Sequence, residues 1–355
     1  MMDVYIKGLG NISPQNTADN SQFLDKIVEY DQNNLQVIHP VYKDHISPIK
    51  LRRMSRMIKM GIAASSICLD DAGITNPGAI ITGTGFGCTG DTEKFLYAMV
   101  ENDEQYLTPT AFMQSTHNTI SGQIAIMLGC KSYNSTYVNR GSCFEAAFQD
   151  AMMLINEGEA NDALIGGFDE CTDKHYIITS RLGYWKDRDI KNTDLYTAGS
   201  SGSISGEGAS FFAISKDGGS NSYAKIKAVN HFYKPDGFEE VERRIQSFLE
   251  ANGHNPDSVD LVVNGLNGDE EGDLVYHHLM KGALKSSTHT CYKHLCGEYD
   301  VASAFGLWLA CKILKTQTVP ESVRVGNAPA GQINTVLVYN HFKSSYHGLF
   351  LLESC

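Results

Sequence analysis

The chain has 355 residues, of which 42% are hydrophobic and 20% charged, and its formal net charge is −12. This composition is typical of a globular protein large enough for two domains or one double layer. The acidic balance excludes nucleic acid or an anionic membrane surface as the main partner. No run of about 18 apolar residues occurs, so we expect no segment that spans a membrane.

The first residues and the cysteines indicate the compartment. MMDVYIKGLG is typical of a strand and lacks the basic-then-apolar layout of a signal peptide. The nine cysteines are scattered without CxxC pairs, which favours reduced thiols over a disulfide framework or a zinc site. Both patterns predict a cytoplasmic protein. Cys68 and Cys311 fall on apolar helix faces and are interpreted as core residues.

Strand and helix patterns alternate along the first half. VYIKGLG predicts a strand, RMIKMGIAASSICLDDAG a helix that ends at Gly73, and GAIITGTGFG a buried strand that runs into a glycine loop. Further on, SGQIAIMLG predicts a helix, and DALIGGFDE and ASFFAISK predict two more strands. Strands separated by helices of this length indicate a parallel or mixed sheet covered by helices. The basic stretch LRRMSRMIK offers Arg52, Arg53, Arg56 and Lys59 either as a patch for an acidic carrier protein or as a solvated helix face.

The segment with the most chemical content is VNRGSCFEAAFQDAMMLINEG, residues 138–158. Its apolar residues recur at three- and four-residue spacing, which predicts a helix that ends at Gly158. Cys143 lies at the first turn, where unpaired N–H groups and the helix dipole favour an anion. We therefore expect a lowered thiol pKa and a nucleophilic thiolate. The alternative is a small buried residue that opens a helix.

The second half repeats this organisation after a linker-like segment. KDGGSNS, residues 216–222, divides the chain into halves of residues 1–215 and 223–355. AKIKAVN, VDLVVNG, TVLVYNHF and GLFLLE predict strands, and GFEEVERRIQSFLEANG and VYHHLMKGAL predict helices. GEYDVASAFGLWLACKIL predicts a second long amphipathic helix. In both halves a turn with a reactive residue type opens a buried helix, which predicts a duplicated topology.

Taken in series, these motifs resemble the β-ketoacyl-acyl-carrier-protein synthase family over nearly the whole chain. IKGLGNISPQNT, RMSRMIKMGIAASSICLDDAGI, GTGFG, HNTISGQIAIMLG, ALIGGFDE and SGSISGEGASFFAIS follow in the family's order. The resemblance implies the α/β class and a duplicated thiolase-like fold of layered helices and mixed sheets (αβαβα). It implies Cys143 as the acylated cysteine, an acyl carrier protein as partner and its phosphopantetheine as substrate arm. No metal or nucleotide motif is present, so we expect no bound cofactor.

The family's decarboxylative condensation normally uses two histidines, which serve the decarboxylation and the developing enolate oxygen. The first belongs to a His-Gly-Thr-type turn that ends in Asp. Here VVNGLNGDEEGD keeps Asp273 but has Gly265 or Leu266 at the histidine position. Neither side chain can donate a hydrogen bond.

The second histidine normally follows a Lys-x-x-x-Gly motif. Here KHLCGEYD keeps Lys293 and Gly297 and carries Glu298 at the histidine position. We interpret Glu298 as opening the last long helix, where the dipole favours its charged form. A carboxylate there would raise the pKa of a nearby thiol and repel both an enolate and a malonyl carboxylate. The charge at this position is therefore of the wrong sign for condensation.

A third departure concerns the family's glycine-rich gating loop, Asn-x-Phe-Gly-Phe-Gly-Gly. This chain has YNHFKSSYHG, which keeps Asn340 and Phe342 but loses the glycines that let backbone N–H groups approach a ligand. Phe144, directly after the cysteine, either narrows the acyl tunnel or packs in the core. Four histidines are candidates to replace the missing pair, the alternative being ordinary surface or hydrogen-bonding roles: His117, His294, His341 and His347. His341 is the most interesting of them, because its loop is expected to face the cysteine pocket.

These departures favour a family member in fatty-acid or polyketide-type chain elongation that does not itself condense. It would resemble a chain-length factor that pairs with a complete ketosynthase, as in polyketide, aryl-polyene or flexirubin-type pathways, although many chain-length factors have lost the cysteine. The alternative is a self-sufficient 3-oxoacyl-carrier-protein synthase or acyltransferase that uses Cys143, with Glu298 or His341 in altered roles. Whether the chain is an enzyme is left open. The resemblance implies a homodimer or heterodimer, with TAFMQSTHNTI near the interface.

Overall fold

The computed structural model describes residues 3–329 and 331–355. Residues 1 and 2, where the predicted first half begins, and residue 330, in the predicted second half, lie outside this range. In the described residues, eleven strands form one mixed sheet. They are β1 (Val4–Ile12), β2 (Ala79–Gly83), β3 (Tyr133–Tyr137), β4 (Asp162–Asp169), β5 (Gly208–Ser215), β6 (Ala224–Tyr233), β7 (Leu261–Asn264), β8 (Thr288–Cys291), β9 (Arg324–Val325), β10 (Thr335–Phe342) and β11 (Tyr346–Glu353).

Eleven α-helices accompany the strands in the same described residues. They are α1 (Pro48–Leu51), α2 (Arg56–Ala72), α3 (Thr89–Glu101), α4 (Pro109–Ser115), α5 (Thr119–Leu128), α6 (Cys143–Glu157), α7 (Asp173–Arg181), α8 (Gly237–Ala251), α9 (Leu274–Lys281), α10 (Lys293–Cys296) and α11 (Ser303–Thr316). Of these helices, none is long and apolar enough to cross a membrane.

The strand order shows that the fold is duplicated. The order is β3-β2-β4-β5-β1, continued through an antiparallel β1–β6 pair as β6-β11-β10-β7-β8-β9. The parallel pairs β2–β3 and β2–β4 correspond to β7–β8 and β7–β10. The antiparallel pairs β1–β5 and β4–β5 correspond to β6–β11 and β10–β11. The duplication predicted from the order of the elements is therefore confirmed, with β9 as an added edge strand.

The helices form three layers around the strands. The buried helices α6 and α11 lie between the halves, because α6 contacts β2, β4 and β6 while α11 contacts β10, β7, β5 and β1. The helix α2 packs on β1 and β5 and contacts α5 on one outer face. On the other face, α8 and α9 share a hydrophobic cluster with β7, β10 and β11. This is the predicted αβαβα architecture.

Several local predictions from the sequence are confirmed. Gly73 and Gly158 end α2 and α6 with φ of 67° and 79°, a left-handed conformation that favours glycine. Cys68 and Cys311 are fully buried. The segment 216–222 joins β5 to β6. Because strands of both halves belong to one sheet, the division of the chain at this segment stays a prediction.

The predicted start of the last long helix is wrong. The short helix α10 ends at Cys296, Gly297 has φ 75° and ψ 180°, and α11 begins only at Ser303. Between them the Glu298 N–H donates to the Ile204 carbonyl at 2.8 Å, and the Gly206 N–H donates to the Glu298 carbonyl at 3.2 Å. Glu298 is thus held in an extended segment paired with residues 204–206, and no helix dipole stabilises its carboxylate.

Candidate active site beside Cys143

Cys143 is the first residue of α6, as predicted, and its side chain is fully buried. A 3-10 turn, Arg140–Ser142, leads into the helix, and Arg140 has a φ of 58°. The end of β2 approaches the cysteine so closely that a Cβ at Gly83 would lie 2.6 Å from the Cys143 carbonyl carbon. A glycine at the end of β2 therefore lets the strand meet the helix start.

The prediction that the helix start lowers the thiol pKa is wrong. Burial raises the pKa of Cys143 well above its ordinary value, and the carboxyl groups of Asp169, Asp300 and Glu145 raise it further. Burial disfavours the charged thiolate, and three acidic neighbours outweigh the partial positive charge of a helix N-terminus. In this environment Cys143 is held as a neutral thiol.

Phe144 packs in the core. Its ring centroid lies 5.2 Å from that of Phe148, and 5.6 Å from those of both Phe212 and Phe350. All four side chains are fully buried. Of the two interpretations of Phe144, the structure therefore shows the packing role, in an aromatic cluster directly behind Cys143.

Glu298 and Lys293 form a buried ion pair. The Lys293 Nζ lies 2.6 Å from Glu298 Oε2, and the two side chains are 0% and 1% exposed. A second donor, Asn267 Nδ2, reaches the same oxygen at 2.7 Å, whereas Oε1 has no hydrogen-bond partner. The lysine and the glutamate singled out in the sequence thus act on each other, and the ammonium group compensates the charge of the carboxylate.

The two positions at which the family carries histidines are neighbours in the structure. Asn267 belongs to the turn of the first position, and its contact with Glu298 joins that turn to the second. Asp273 fixes the turn, because its carboxylate accepts the Asn267 N–H at 2.9 Å and the Gly268 N–H at 2.8 Å. A Cβ at Gly265 would clash with Asn340 and lie 2.6 Å from the Tyr276 hydroxyl. Residue 265 therefore has no room for an imidazole.

A cavity of about 40 Å³ lies at this junction. A water molecule in liquid takes up ~30 Å³, so the cavity accommodates one or two water-sized groups and no extended chain. Cys143 is not among the residues that line it. The lining consists of acidic, basic, polar and aromatic residues from both halves: Phe86, Arg140, Asp169, Glu170, Cys171, His175, Thr179, Tyr184, Trp185, Ser205, Gly206, Glu298, Tyr299, Asp300 and Phe342.

Two aspartates and an arginine carry much of the charge in the cavity. The Arg140 Nε donates to Asp300 at 2.8 Å, and its guanidinium lies 4.3 Å from the centroid of the Phe86 ring. Burial raises the pKa of Asp300 to about 6, against the lowering effect of Arg140. Burial and the Asp300 charge together raise the pKa of Asp169 to about 8. A proton is therefore retained near Cys143 at neutral pH.

The hairpin turn between β10 and β11 closes over this region. Lys343 and Ser344 have φ of 52° and 48°, so the turn keeps left-handed backbone conformations although it has lost the glycines that favour them. The Lys343 ammonium lies 3.7 Å from the centroid of the Tyr184 ring, and burial lowers its pKa. A lysine packed on an aromatic ring thus stands in the turn where the family's gating loop has glycines.

His341 does not line the cavity, although it belongs to this hairpin. Its Nε2 donates to the Gly272 carbonyl at 2.8 Å, and its Nδ1 accepts the Ser344 N–H at 3.2 Å. The ring stacks on Tyr276, and burial lowers its pKa well below the ordinary value. Both ring nitrogens are therefore occupied by the backbone, and the neutral imidazole holds the hairpin turn.

The other three histidines named from the sequence also lie outside the cavity lining. Both ring nitrogens of His294 lie within hydrogen-bond distance of partners, the Tyr196 hydroxyl and the Ser322 carbonyl. The His347 ring contacts the Tyr339 hydroxyl and the Ser344 carbonyl. Burial lowers the pKa of each of these two rings to about 4. His117 is exposed.

The histidine that does line the cavity, His175, was missed in the sequence. It lies on α7, and its ring packs at 4.8 Å and 66° against Phe86. Burial lowers its pKa, and Arg140 adds to this effect while Glu93 opposes it. The signal was available, since only two residues separate DKHYIITS from DALIGGFDE, whose last two residues line the cavity.

The basic patch considered in the sequence loses one of its members. Arg56 forms an ion pair with the buried Glu207, to which its Nη1 donates at 2.8 Å, and lies 3.6 Å from Glu170. Arg52 and Arg53 are exposed, and Lys59 is half-buried. Arg56 is therefore a structural residue that binds Glu207 of the SGEGAS motif. The surface patch then consists of Arg52, Arg53 and Lys59.

Among the described residues, no group of three or more His, Cys, Asp or Glu side chains is arranged to hold a metal ion. Arg140, which lines the cavity, is paired with Asp300, and two lysines that contact its lining are paired with Glu298 or packed on Tyr184. The lining can therefore contribute hydrogen bonding and charge, and its Asp169 and Asp300 carboxyl groups act on the pKa of the Cys143 thiol.

The same architecture occurs in solved ketosynthase structures. A chain described as the ishigamide ketosynthase/chain length factor matches with a TM-score of 0.82 at 16% identity, covering 100% of this chain and 99% of the other. A β-ketoacyl synthase from Burkholderia phymatum STM815 matches with a TM-score of 0.81 at 14% identity. A type II polyketide synthase ketosynthase in complex with its acyl-carrier protein, AntDE:AntF, matches with a TM-score of 0.77 at 15% identity, over the full length of both chains. At these identities the likeness shows a shared fold.

Sequence comparison identifies the family. A 3-oxoacyl-[acyl-carrier-protein] synthase 2 from Staphylococcus aureus (strain COL) is 24% identical over 344 residues, covering 83% of this chain and 82% of the relative. The family model for the N-terminal domain of β-ketoacyl synthases matches residues 4–217, which is more than half of the chain. The match includes the strand of DALIGGFDE, the Cys143 helix and the buried Glu207. The chain therefore belongs to the β-ketoacyl synthase family.

Proposed function

We propose that this chain is a non-condensing subunit of carrier-protein-dependent chain elongation, similar to a chain-length factor, and that it pairs with a complete ketosynthase. One observation carries the proposal. At the place where the family holds a histidine for the enolate oxygen, this chain holds the carboxylate of Glu298, bound by Lys293 and Asn267. A carboxylate cannot stabilise developing negative charge, because it accepts hydrogen bonds and repels an anion.

The environment of Cys143 supports the same conclusion. The thiol is fully buried with a raised pKa, whereas acyl transfer to a cysteine requires an accessible thiolate. The adjoining cavity holds one or two water-sized groups, which is too little for a pantetheine arm. Arg140 and Lys343 pack on the rings of Phe86 and Tyr184, two residues of the cavity lining.

The surface supports a partner subunit. The strand β3 is an edge of the sheet, and exposed apolar side chains lie on it and on the helices before it, among them Phe112, Met113, Ile126 and Tyr133. A monomer rarely exposes such a set, which is typical of a protein interface. The solved relative that pairs a ketosynthase with a chain-length factor suggests the kind of partner, and the relative bound to its acyl-carrier protein suggests that the pair takes carrier-linked substrates.

The test compares the chain alone with the chain and a candidate ketosynthase. The chain is incubated with an acyl-carrier donor, then with malonyl-carrier, and both the mass of Cys143 and the ketoacyl product are followed. We expect no product from the chain alone, product from the pair, and an unchanged product yield when Cys143→Ala replaces the wild-type chain in the pair. A product made by the chain alone and abolished by Cys143→Ala would contradict the proposal.

A second candidate function, an acyltransferase that uses Cys143, is favoured by His175. This imidazole lines the cavity together with Asp169 and Asp300, which act on the pKa of Cys143, and an imidazole is the kind of base that activates a thiol. The same incubation decides the matter: acyl mass on Cys143 in the wild type, lost in His175→Gln, would support the transferase. Absence of acyl mass in both would leave the non-condensing subunit.

A further inference from the structure

Lys343 has an ammonium group without an oxygen partner. It is half-buried and is the first residue of the turn between β10 and β11. Within the described residues, its Nζ forms neither a hydrogen bond nor an ion pair. It lies 3.7 Å from the centroid of the Tyr184 ring and 5.4 Å from that of Trp185. Aromatic faces attract an ammonium group without accepting its protons as a carboxylate does, so this nitrogen has no strong acceptor.

The acidic groups around Lys343 are bound to other donors. The carboxylates whose charges act on it are those of Glu298, Asp269 and Asp300. Glu298 is bound by the ammonium group of Lys293, and Asp300 accepts from Arg140 Nε at 2.8 Å. Asp269 accepts two backbone N–H groups, at 2.7 Å and 3.1 Å. The acids near Lys343 are therefore engaged, and none of them holds its ammonium group.

The surroundings of Lys343 favour a neutral amine. Burial is the largest influence on its pKa and lowers it, and the Lys293 ammonium group acts in the same direction. The three carboxylates oppose this effect without reversing it. A lysine that is desolvated and next to a second cation is activated as a nucleophile, because the neutral amine is the form that attacks a carbonyl carbon.

We propose that Lys343 is a covalent binding site for a small neutral aldehyde, which it captures as a Schiff base. The neutral amine adds to the carbonyl carbon, a proton passes from nitrogen to oxygen, and loss of water from this carbinolamine leaves a C=N bond. The step consumes no oxidant or reductant, and water reverses it. Neither Cys143 nor a carrier protein takes part, so the site does not depend on the proposed function.

The neighbours of Lys343 select the class of aldehyde. The half-buried Tyr184 ring, on which the nitrogen lies, offers an apolar face to an aromatic or alkyl group beside the carbonyl. The carboxylates of Glu298, Asp269 and Asp300 repel an anion. We therefore expect a neutral aromatic aldehyde to be preferred over an aldehyde that carries a carboxylate.

The experiment traps the Schiff base in the full-length protein. Benzaldehyde and sodium cyanoborohydride convert each imine into a stable secondary amine, and peptide mass spectrometry follows labelling at each lysine. Lys174 is the matched control, because it packs on the Tyr97 ring at 3.1 Å but is exposed. Lys186 is the buried control, because its Nζ donates to four oxygen atoms. At pH 7.5, Lys343 should be labelled about fivefold faster than Lys174, and Lys186 slowest of the three.

Two comparisons connect the labelling to the environment of Lys343. Its advantage over Lys174 should fall as the pH rises to 11, above the ordinary lysine pKa of 10.5, because both amines are then largely neutral. In a parallel reaction with 4-carboxybenzaldehyde, the rate at Lys343 should fall about fivefold relative to benzaldehyde, and by more than the rate at Lys174.

Lys343→Arg keeps a cation on the Tyr184 ring but has no nucleophilic amine, so it should remove the fast label and leave thermal melting unchanged. The rates at Lys343 and Lys174 are compared within the wild-type chain, so they do not depend on the folding of a variant. Labelling of Lys343 no faster than that of Lys174 at pH 7.5 would overturn the inference. A rate ratio that does not change with pH, or faster labelling by the anionic aldehyde, would also overturn it.

Discussion

Lys293 and Glu298 form a fully buried ion pair, with 2.6 Å between the ammonium nitrogen and Oε2. The family motif contains this lysine whether histidine or glutamate follows the glycine. With glutamate at residue 298, Lys293 becomes the ion-pair partner of a carboxylate. The ammonium group therefore stabilises the carboxylate through Oε2 without a helix dipole, while Oε1 has no hydrogen-bond partner.

Removing one partner of this pair should destabilise the protein. Lys293→Met leaves a buried carboxylate without its main donor, which costs about 3–5 kcal/mol. The double variant Lys293→Met/Glu298→Gln should recover much of this loss, because no unpaired charge remains. Urea unfolding of the wild type, both single variants and the double variant gives the coupling energy. Additive effects of the two substitutions would show that the contact does not stabilise the fold.

Cys143 should react slowly with thiol reagents. It is fully buried with a raised pKa, whereas Cys355 is the one exposed cysteine among the described residues. Because the thiolate is the reacting species and access is required, we expect iodoacetamide to modify Cys143 ~100-fold more slowly than Cys355 at pH 7.5. Peptide mass spectrometry over time measures both rates. In Cys355→Ser, Cys143 should remain unmodified over the same period, and rapid labelling there would contradict the structure.

The sequence predicted the scaffold well because the scaffold depends on periodicity. Packing is determined largely by the apolar spacing of the Cys143 helix, by the glycines at 73 and 158, and by the order of strands and helices. The layers and the duplication could therefore be predicted from these features. The family motif also brought the correct pair of positions together. Asn267, from the turn at the first histidine position, contacts Glu298 at the second.

The chemistry of the site was harder to predict because it depends on long-range contacts. The thiol pKa is decided by burial and by Asp169 and Asp300, which lie far from Cys143 in the chain. The pairing of Glu298 with residues 204–206 prevented it from opening a helix. His341 was expected in the pocket because its loop borders it, yet its ring turns to Gly272, and His175 lines the cavity instead.

Ser344→Gly should stabilise the protein. Ser344 is exposed and has a φ of 48°, which is unfavourable for a side chain and free for glycine. The greater entropy of glycine in the unfolded chain offsets part of the gain, so we expect a net increase of about 0.5–1 kcal/mol in the free energy of unfolding. The backbone hydrogen bonds of residue 344 with His341 and His347 are unaffected. Lys343→Gly is the control: it relieves the same strain but loses the contact with Tyr184, so it should gain less.

Glu145 should make stability fall as the pH rises. Burial raises its pKa from 4.5 to about 7, and the nearby Ser303 hydroxyl lowers it by less without forming a hydrogen bond of normal geometry. Between these two pKa values the folded state keeps a proton that the unfolded state releases, so ionisation favours unfolding. The difference corresponds to about 3 kcal/mol lost between pH 4.5 and pH 8. In urea unfolding across this range, Glu145→Gln should gain this amount relative to wild type, and a constant difference would contradict the raised pKa.

Gly265→Ala tests whether residue 265, one of the two candidates for the first histidine position, is closed to any side chain. The added methyl group would clash with the Asn340 side chain and lie 2.6 Å from the Tyr276 hydroxyl, both of which are buried. Overpacking at a rigid site costs about 1–3 kcal/mol, so this amount should be lost in urea unfolding. Gly122→Ala is the matched control, since it lies in α5 with no atom within 4 Å of the added carbon, and it should gain about 1 kcal/mol in helix propensity.

If Gly265→Ala were neutral, the turn would have room to move, and an imidazole introduced there together with Glu298→His could reach the thiol. A clear loss means that an imidazole at residue 265 cannot be accommodated, because Asn340 and Tyr276 already occupy the space, and that Leu266 is the one of the two candidate positions left for it.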